Sequence, residues 1–211
     1  MGGHAGGALA SETACAAFLA SYEAADGSTA DRLGVALAGA NAAVGAKCEQ
    51  RPHLAGMGST LVGVVFGDEG LEWISVGDSP LYLWRRGETA IVNEDHSLAP
   101  LLDRLVAEGR LTAREARDDP RRHHLRSAVT GEEIEIVDAS RKPLALEPGD
   151  CVILASDGIH TLDEARIAEI VEGALARGAD AIAEELLEAV SSARDPAQDN
   201  ATVIVVQVAG W

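Results

Sequence analysis

The stretch Leu146–Leu162, LEPGDCVILASDGIHTL, decides how the rest of the chain is read. Its centre, CVILAS, is a short apolar run entered through Pro148-Gly149 and left through Asp157-Gly158, which marks a strand between two turns. Asp157 therefore stands just past a strand end, beside a glycine. A second carboxylate has the mirror placement: Asp199, followed by Asn200, immediately precedes the apolar run ATVIVVQV. A third, Asp78, lies in VGDSP between two more β-like runs. Taken singly, each is an ordinary turn residue whose side chain can bond nearby backbone. Taken together, they are hard oxygen donors at strand ends, the kind of group that can converge on Mg²⁺ or Mn²⁺.

Working outward, the first 50 residues read as two helices, ALASETACAAFLASYEAA and TADRLGVALAGANAAVGAKCEQ, broken at Gly27 and Ser28. STLVGVVF, LEWISV, PLYLWRR and ETAIVN follow as strands, with Gly67–Gly70 and Gly77–Pro80 short enough for antiparallel hairpins. Leu98, Leu101, Leu102, Leu105 and Val106 recur at helical spacing, with Ser97 as cap and Gly109 as stop. Thr112 with Glu115, and Thr161 with Glu164, each fit a capping box. DDPRRHHLR reads as a loop, EIEIVD as a strand, and helices are expected from Thr161 through Leu175 and over Ala181–Ala193. Clustered strands with paired helices predict an α+β sandwich and not an alternating parallel sheet.

The balance of 17 basic against 34 acidic residues gives a formal net charge of −17. That excludes nucleic acid and anionic membrane surfaces as general partners. It also opposes an anionic substrate unless bound cations reverse the local field. Three widely spaced cysteines, Cys15, Cys48 and Cys151, fit reduced thiols and a cytoplasmic location. No apolar run reaches the length of a spanning helix.

GMGSTLVGVV, VGDSPLYLWRRGE, NEDHSL, LEPGDCVILASDGIHTL and DNATVIVV occur in the order found in the metal-dependent Ser/Thr protein phosphatases. The chain resembles that family, PPM or type 2C, in its bacterial form and over nearly its whole length. The resemblance implies a single domain over 1–211: two antiparallel sheets face to face, flanked by helix pairs. It implies hydrolysis of phosphoserine and phosphothreonine in proteins, opposing a Ser/Thr kinase, with two Mn²⁺ or Mg²⁺ ions and a third weaker site. By resemblance Asp157 and Asp199 match metal-binding aspartates, and Asp78 the weaker third position. Asn200, Ser79 and Thr60 become supporting residues. A flap is expected over about 99–126, where Arg122 and Arg126 could contact a phosphorylated segment in a basic patch with His123 and His124.

The start, MGGHAGG, resembles the tail of the family's Asp-Gly-Met-Gly-Gly-His motif, with His4 holding the loop. On that reading the chain lacks the bridging Asp, a phosphate-holding Arg and the first strands. The expectation is a weakened metal centre, reduced phosphatase activity and self-association through exposed sheet edges. The alternative is a pseudophosphatase serving as a binding or regulatory module. In the flap, HHLRSAVTG departs from the commoner Asn-x-Leu-Thr-Arg-Ala pattern, with Arg126 and Ser127 in place of Thr and Arg.

Overall fold

The computed structural model describes residues 6–196 and 198–209. MGGHA, with His4, lies outside them. The described chain divides into two compact units. One comprises the chain up to Val65 with Glu72–Asp78 and Asp95–Lys142; the other comprises Phe66–Leu71, Ser79–Glu94 and the chain from Pro143.

The first unit is a helix pair over a small sheet. α1 spans Gly7–Ala24 and α2 spans Thr29–Gln50. The break between them is set by Ser28, whose hydroxyl accepts from Asp31 N while the Asp31 carboxylate accepts from Ser28 N. Ala10, Ala14 and Phe18 form the buried stripe of α1, and Leu33, Ala36, Leu37, Ala40 and Val44 that of α2. Alanine at so many contact positions lets the two helix backbones approach closely. Arg32 fixes the pair by donating to Tyr22 O and lying 4.0 Å above the Tyr22 ring. These stripes pack on Leu61, Ile74 and Val76, from β1 (Leu61–Gly67) and β2 (Gly70–Val76). β5 is confined to Asp138–Ala139, and the sheet order is β1-β2-β5. The strand expected over EIEIVD is thus much shorter. Side-chain bonds take over from the ladder there: Ser127 Oγ donates to Ile136 O, and Trp73 Nε1 donates to Asp138 Oδ2.

The second unit holds a four-stranded sheet formed by β3 (Leu81–Arg85), β4 (Glu88–Ile91), β6 (Cys151–Ala155) and β7 (Val203–Gln207). Its order is β4-β3-β6-β7, and all its pairings are antiparallel. One face carries Tyr82, Trp84, Cys151 and Ile153, covered by α5 (Glu164–Ala174) and α6 (Ala179–Ser192) through Ile167, Ile170, Val171, Ile182, Leu186 and Val190. On the other face Leu81 and Val152 are also fully buried, which is why CVILA is apolar at every position. Each such side chain withdrawn from water contributes about 1.5–3 kcal/mol. Among the described residues no helix is long and apolar enough to cross a membrane.

The α+β class with two antiparallel sheets stands as expected, with two local corrections besides the shortened strand at EIEIVD. Gly77–Pro80 is not a hairpin turn, because β2 and β3 belong to different sheets. Asn93 accepts from Leu81 N through Oδ1 and donates to Ser79 O, fixing the chain as it enters β3. The capping box at Thr161 and Glu164 does not form. Asp163 caps α5 by accepting from Arg166 N, and Thr161 is bonded elsewhere.

Candidate functional site

β6 and β7 are antiparallel neighbours, so the exit of one and the entrance of the other lie at the same end of their sheet. Ala155 pairs with Val203 at that end. Asp157 follows two residues after Ala155, and Asp199 precedes Val203 by four. Both aspartates are exposed.

The two loops are stitched together. Ser156 N donates to Thr202 O at 3.0 Å, and Thr202 N returns to Ser156 Oγ at 2.9 Å. Ser156 Oγ also donates to Asn200 O. Gly158 makes the contact close: a Cβ there would stand 2.5 Å from Asn200 O and 3.0 Å from Asp199 O. Only hydrogen fits. Asp199 Oδ1 accepts from Asn200 N at 2.7 Å, which orients the carboxylate at the head of its loop. Ser79 lies at this end as well, since its neighbour Pro80 accepts from Ala155 N at 3.1 Å. Ser79 itself is held by Asn93.

Asp78 is described with the first unit, half-buried at the end of β2. Its turn depends on Gly77, whose φ of +104 suits glycine and whose missing Cβ would come 2.4 Å from Thr60 Cγ2. Thr60 thus packs directly on the turn that presents Asp78. Buried His96 closes the turn from the other side: Nδ1 accepts from Gly77 N at 3.2 Å, and His96 N donates to Gly77 O at 3.1 Å.

The flap begins at the same residue. Arg126 N donates to His96 O, Leu98 N donates to His124 O, and Ser97 pairs with Leu125, closing the base of the excursion. Within it α3 spans Ala99–Ala107 and α4 spans Ala113–Asp118. Ser97 Oγ accepts from Ala99 N, although the helix boundary falls at Leu98, and the Thr112–Glu115 box forms as expected. Arg122 turns inward, gripping Asp103 with both Nη atoms at 2.8 and 2.9 Å and reaching Ala116 O. The hydrogen bond from Arg122 holds the Asp103 carboxyl below its ordinary range. Arg126 is exposed and donates Nε to Ser97 O. His123 and His124 are exposed beside it.

Chemically, the β6–β7 end offers two exposed carboxylates and a dense set of loop carbonyls. Among the described residues no three His, Cys, Asp or Glu side chains gather into a metal-holding group. A hard divalent cation can be held by one or two carboxylates while keeping several waters, so Asp157 and Asp199 suit such an ion without forming a closed cage. Reading the sequence singled out the aspartates but missed Gln198, Ser156 and His96, and took Thr161 for a helix cap. The available signal was position alone, since Ser156 and Gln198 each directly precede one of the aspartates.

No family model matches the chain. It is 34% identical over 219 residues to the serine/threonine protein phosphatase PstP of Mycobacterium tuberculosis, an alignment covering 100% of this chain and 39% of that relative. The chain thus spans well under half the length of this curated relative. The crystal structure of the PstP catalytic domain in complex with two manganese ions superposes with a TM-score of 0.77 at 32% identity, covering 100% of this chain and 85% of that one. The PPM Ser-Thr phosphatase MsPP of Mycobacterium smegmatis, in complex with cacodylate, gives a TM-score of 0.75 at 31% identity, covering 98% and 85%.

Proposed function

The chain belongs to the PPM family of serine/threonine protein phosphatases, and on that premise we propose that it hydrolyses phosphoserine and phosphothreonine esters in proteins at the β6–β7 end. The observation that carries the reading is the abutment of the Asp157 and Asp199 loops at Gly158. In this reading Asp157 and Asp199 hold Mn²⁺ or Mg²⁺, and Asp78 serves a weaker third position. When bound, the cation supplies charge neutralisation for the phosphate and a nucleophile at neutral pH.

The rest falls to the chain's own groups. A formal charge of −17 repels a phosphate dianion, so cation-holding carboxylates are what make this end hospitable to it. Ser156 and Asn200 fix the loops, Ser79 shapes the sheet end, and Thr60 shapes the turn that presents Asp78. Seven arginines fall between residues 99 and 126. Arg122 braces this flap through Asp103. Arg126 is one exposed cation at the base of the flap for the phosphorylated segment, where guanidinium can bind phosphate in bidentate fashion. The substrates on this view are products of Ser/Thr kinases.

The test is phosphate release from phosphoserine and phosphothreonine peptides alongside calorimetric Mn²⁺ titration. Asp157→Ala and Asp199→Ala should each abolish both. Undiminished Mn²⁺ uptake in either variant refutes the assignment. Uptake without phosphate release would instead favour a regulatory module.

A further inference from the structure

Gln198 occupies the residue before Asp199 and is half-buried. Its side-chain amide reaches across to the other aspartate's loop. Nε2 donates to Gly158 O at 2.9 Å and to Asp199 O at 2.6 Å. Oε1 accepts from Thr161 Oγ1. One planar amide therefore uses both donors and an acceptor on three backbone and side-chain partners. Two of those partners immediately adjoin or belong to the aspartates: Gly158 follows Asp157, and the second carbonyl is that of Asp199 itself.

We propose that Gln198 is a positioning residue whose amide staples the Asp157 loop to the Asp199 loop and so sets the separation of the two carboxylates. The proposal rests on reading those carboxylates as metal ligands. Among the described residues Ser156 also bonds across to the Asp199 loop, on the strand side of Asp157. Gln198 secures the opposite side, along the 3₁₀ turn Asp157–Thr161. Buried Ile159 pins the middle of that turn to the core; without the amide the Gly158 carbonyl loses its tie to the Asp199 loop, and the exposed Asp157 end can shift against Asp199. Thr161 sets the direction of the staple, because its hydroxyl donates to Oε1 and leaves the NH₂ facing both carbonyls. A methionine at 198 would fill similar space yet offer neither donor.

The experiment compares the wild-type chain with Gln198→Met, Gln198→Ala and Thr161→Val by calorimetric Mn²⁺ titration, thermal unfolding and amide hydrogen exchange. Groups that orient metal ligands typically cost about 10- to 100-fold in metal affinity when removed. Gln198→Met and Gln198→Ala should both weaken Mn²⁺ binding within that range and speed exchange over residues 157–162. Thr161→Val should do so more weakly. Wild-type affinity in Gln198→Met would show that the side chain merely packs, and would overturn the proposal. Should the wild-type chain itself take up no Mn²⁺, the metal reading fails, and exchange still judges the staple. Faster exchange over 157–162 in Gln198→Met upholds it; unchanged exchange overturns it.

Discussion

Replacing Gly158 by alanine tests the geometry on which the candidate site depends. The new methyl carbon would meet three atoms of the opposing backbone: Asn200 O at 2.5 Å, Asn200 C at 2.9 Å and Asp199 O at 3.0 Å. The shortest of these falls about 0.9 Å short of the 3.4 Å at which ordinary contact begins. No flexible side chain can yield, because every obstacle is main chain. One loop must retreat by nearly an ångström, carrying Asp157 or Asp199 with it. Forcing one extra carbon into a packed contact costs about 1–3 kcal/mol. Misplacing a reacting constellation by 1 Å can cost about 100-fold in rate. The expected outcome is a lower unfolding temperature together with Mn²⁺ affinity reduced by about 10- to 100-fold. Gly173→Ala is the control. Gly173 lies inside α5, and a methyl carbon placed there would have nothing within 4 Å, so alanine should add about 0.5–1 kcal/mol of stability and leave Mn²⁺ binding alone. Thermal denaturation and calorimetric titration on the three proteins decide the matter. Wild-type stability and Mn²⁺ affinity in Gly158→Ala would show that the two loops do not abut, and the argument for a shared site would fall.

Two further outcomes follow from bonds elsewhere in the units. Asp150 is buried and accepts from Arg85 Nε and Nη2 and from Glu147 N; burial pushes its carboxyl up, yet Arg85 and the Glu147 amide outweigh it and the net direction is down. A lowered carboxyl stabilises above its ordinary value near 3.8 and loses that contribution as pH falls through the folded value, so Asp150→Asn should flatten the acid limb of a stability–pH profile; an unchanged limb refutes this. His96→Ala removes the acceptor of the buried Gly77 amide, costing about 1–3 kcal/mol, and should speed hydrogen exchange across 99–126; His96→Asn, with an oxygen near the Nδ1 position, should restore much of both, and no restoration would count against the clamp.

What the sequence made legible was whatever depends on near neighbours. The apolar run at 151–155 read as a strand without coordinates; its burial on both faces is what the structure adds. The helix pair over the first 50 residues and the box at Thr112 and Glu115 likewise follow from spacing within one or two turns. The errors share a cause. At Thr161 the local pattern offered a capping box, but Gln198, 37 residues away, took the hydroxyl. At Gly77–Pro80 the spacing allowed a hairpin, but bonds from Asn93 and His96 fix that stretch while the chain changes sheets. EIEIVD had the alternation of a strand, and side-chain bonds from Ser127 and Trp73 replaced most of its ladder.

The same distinction explains why the aspartates were visible and their supports were not. A carboxylate at a strand end announces itself by type and place, whereas an amide such as Gln198 is indistinguishable from a solvated turn residue until its partners are known. Of its side-chain bonds, those to Thr161 and Gly158 cross 37 and 40 residues. Those long-range bonds set how far apart the two carboxylates stand, and a cation is sensitive to that distance where the fold as a whole is not. Substitutions at Gln198 and Thr161 should therefore separate two properties that usually fall together. Unfolding temperature should move little, because both residues are half-buried and lie outside the helix-covered core, while Mn²⁺ affinity should move much more.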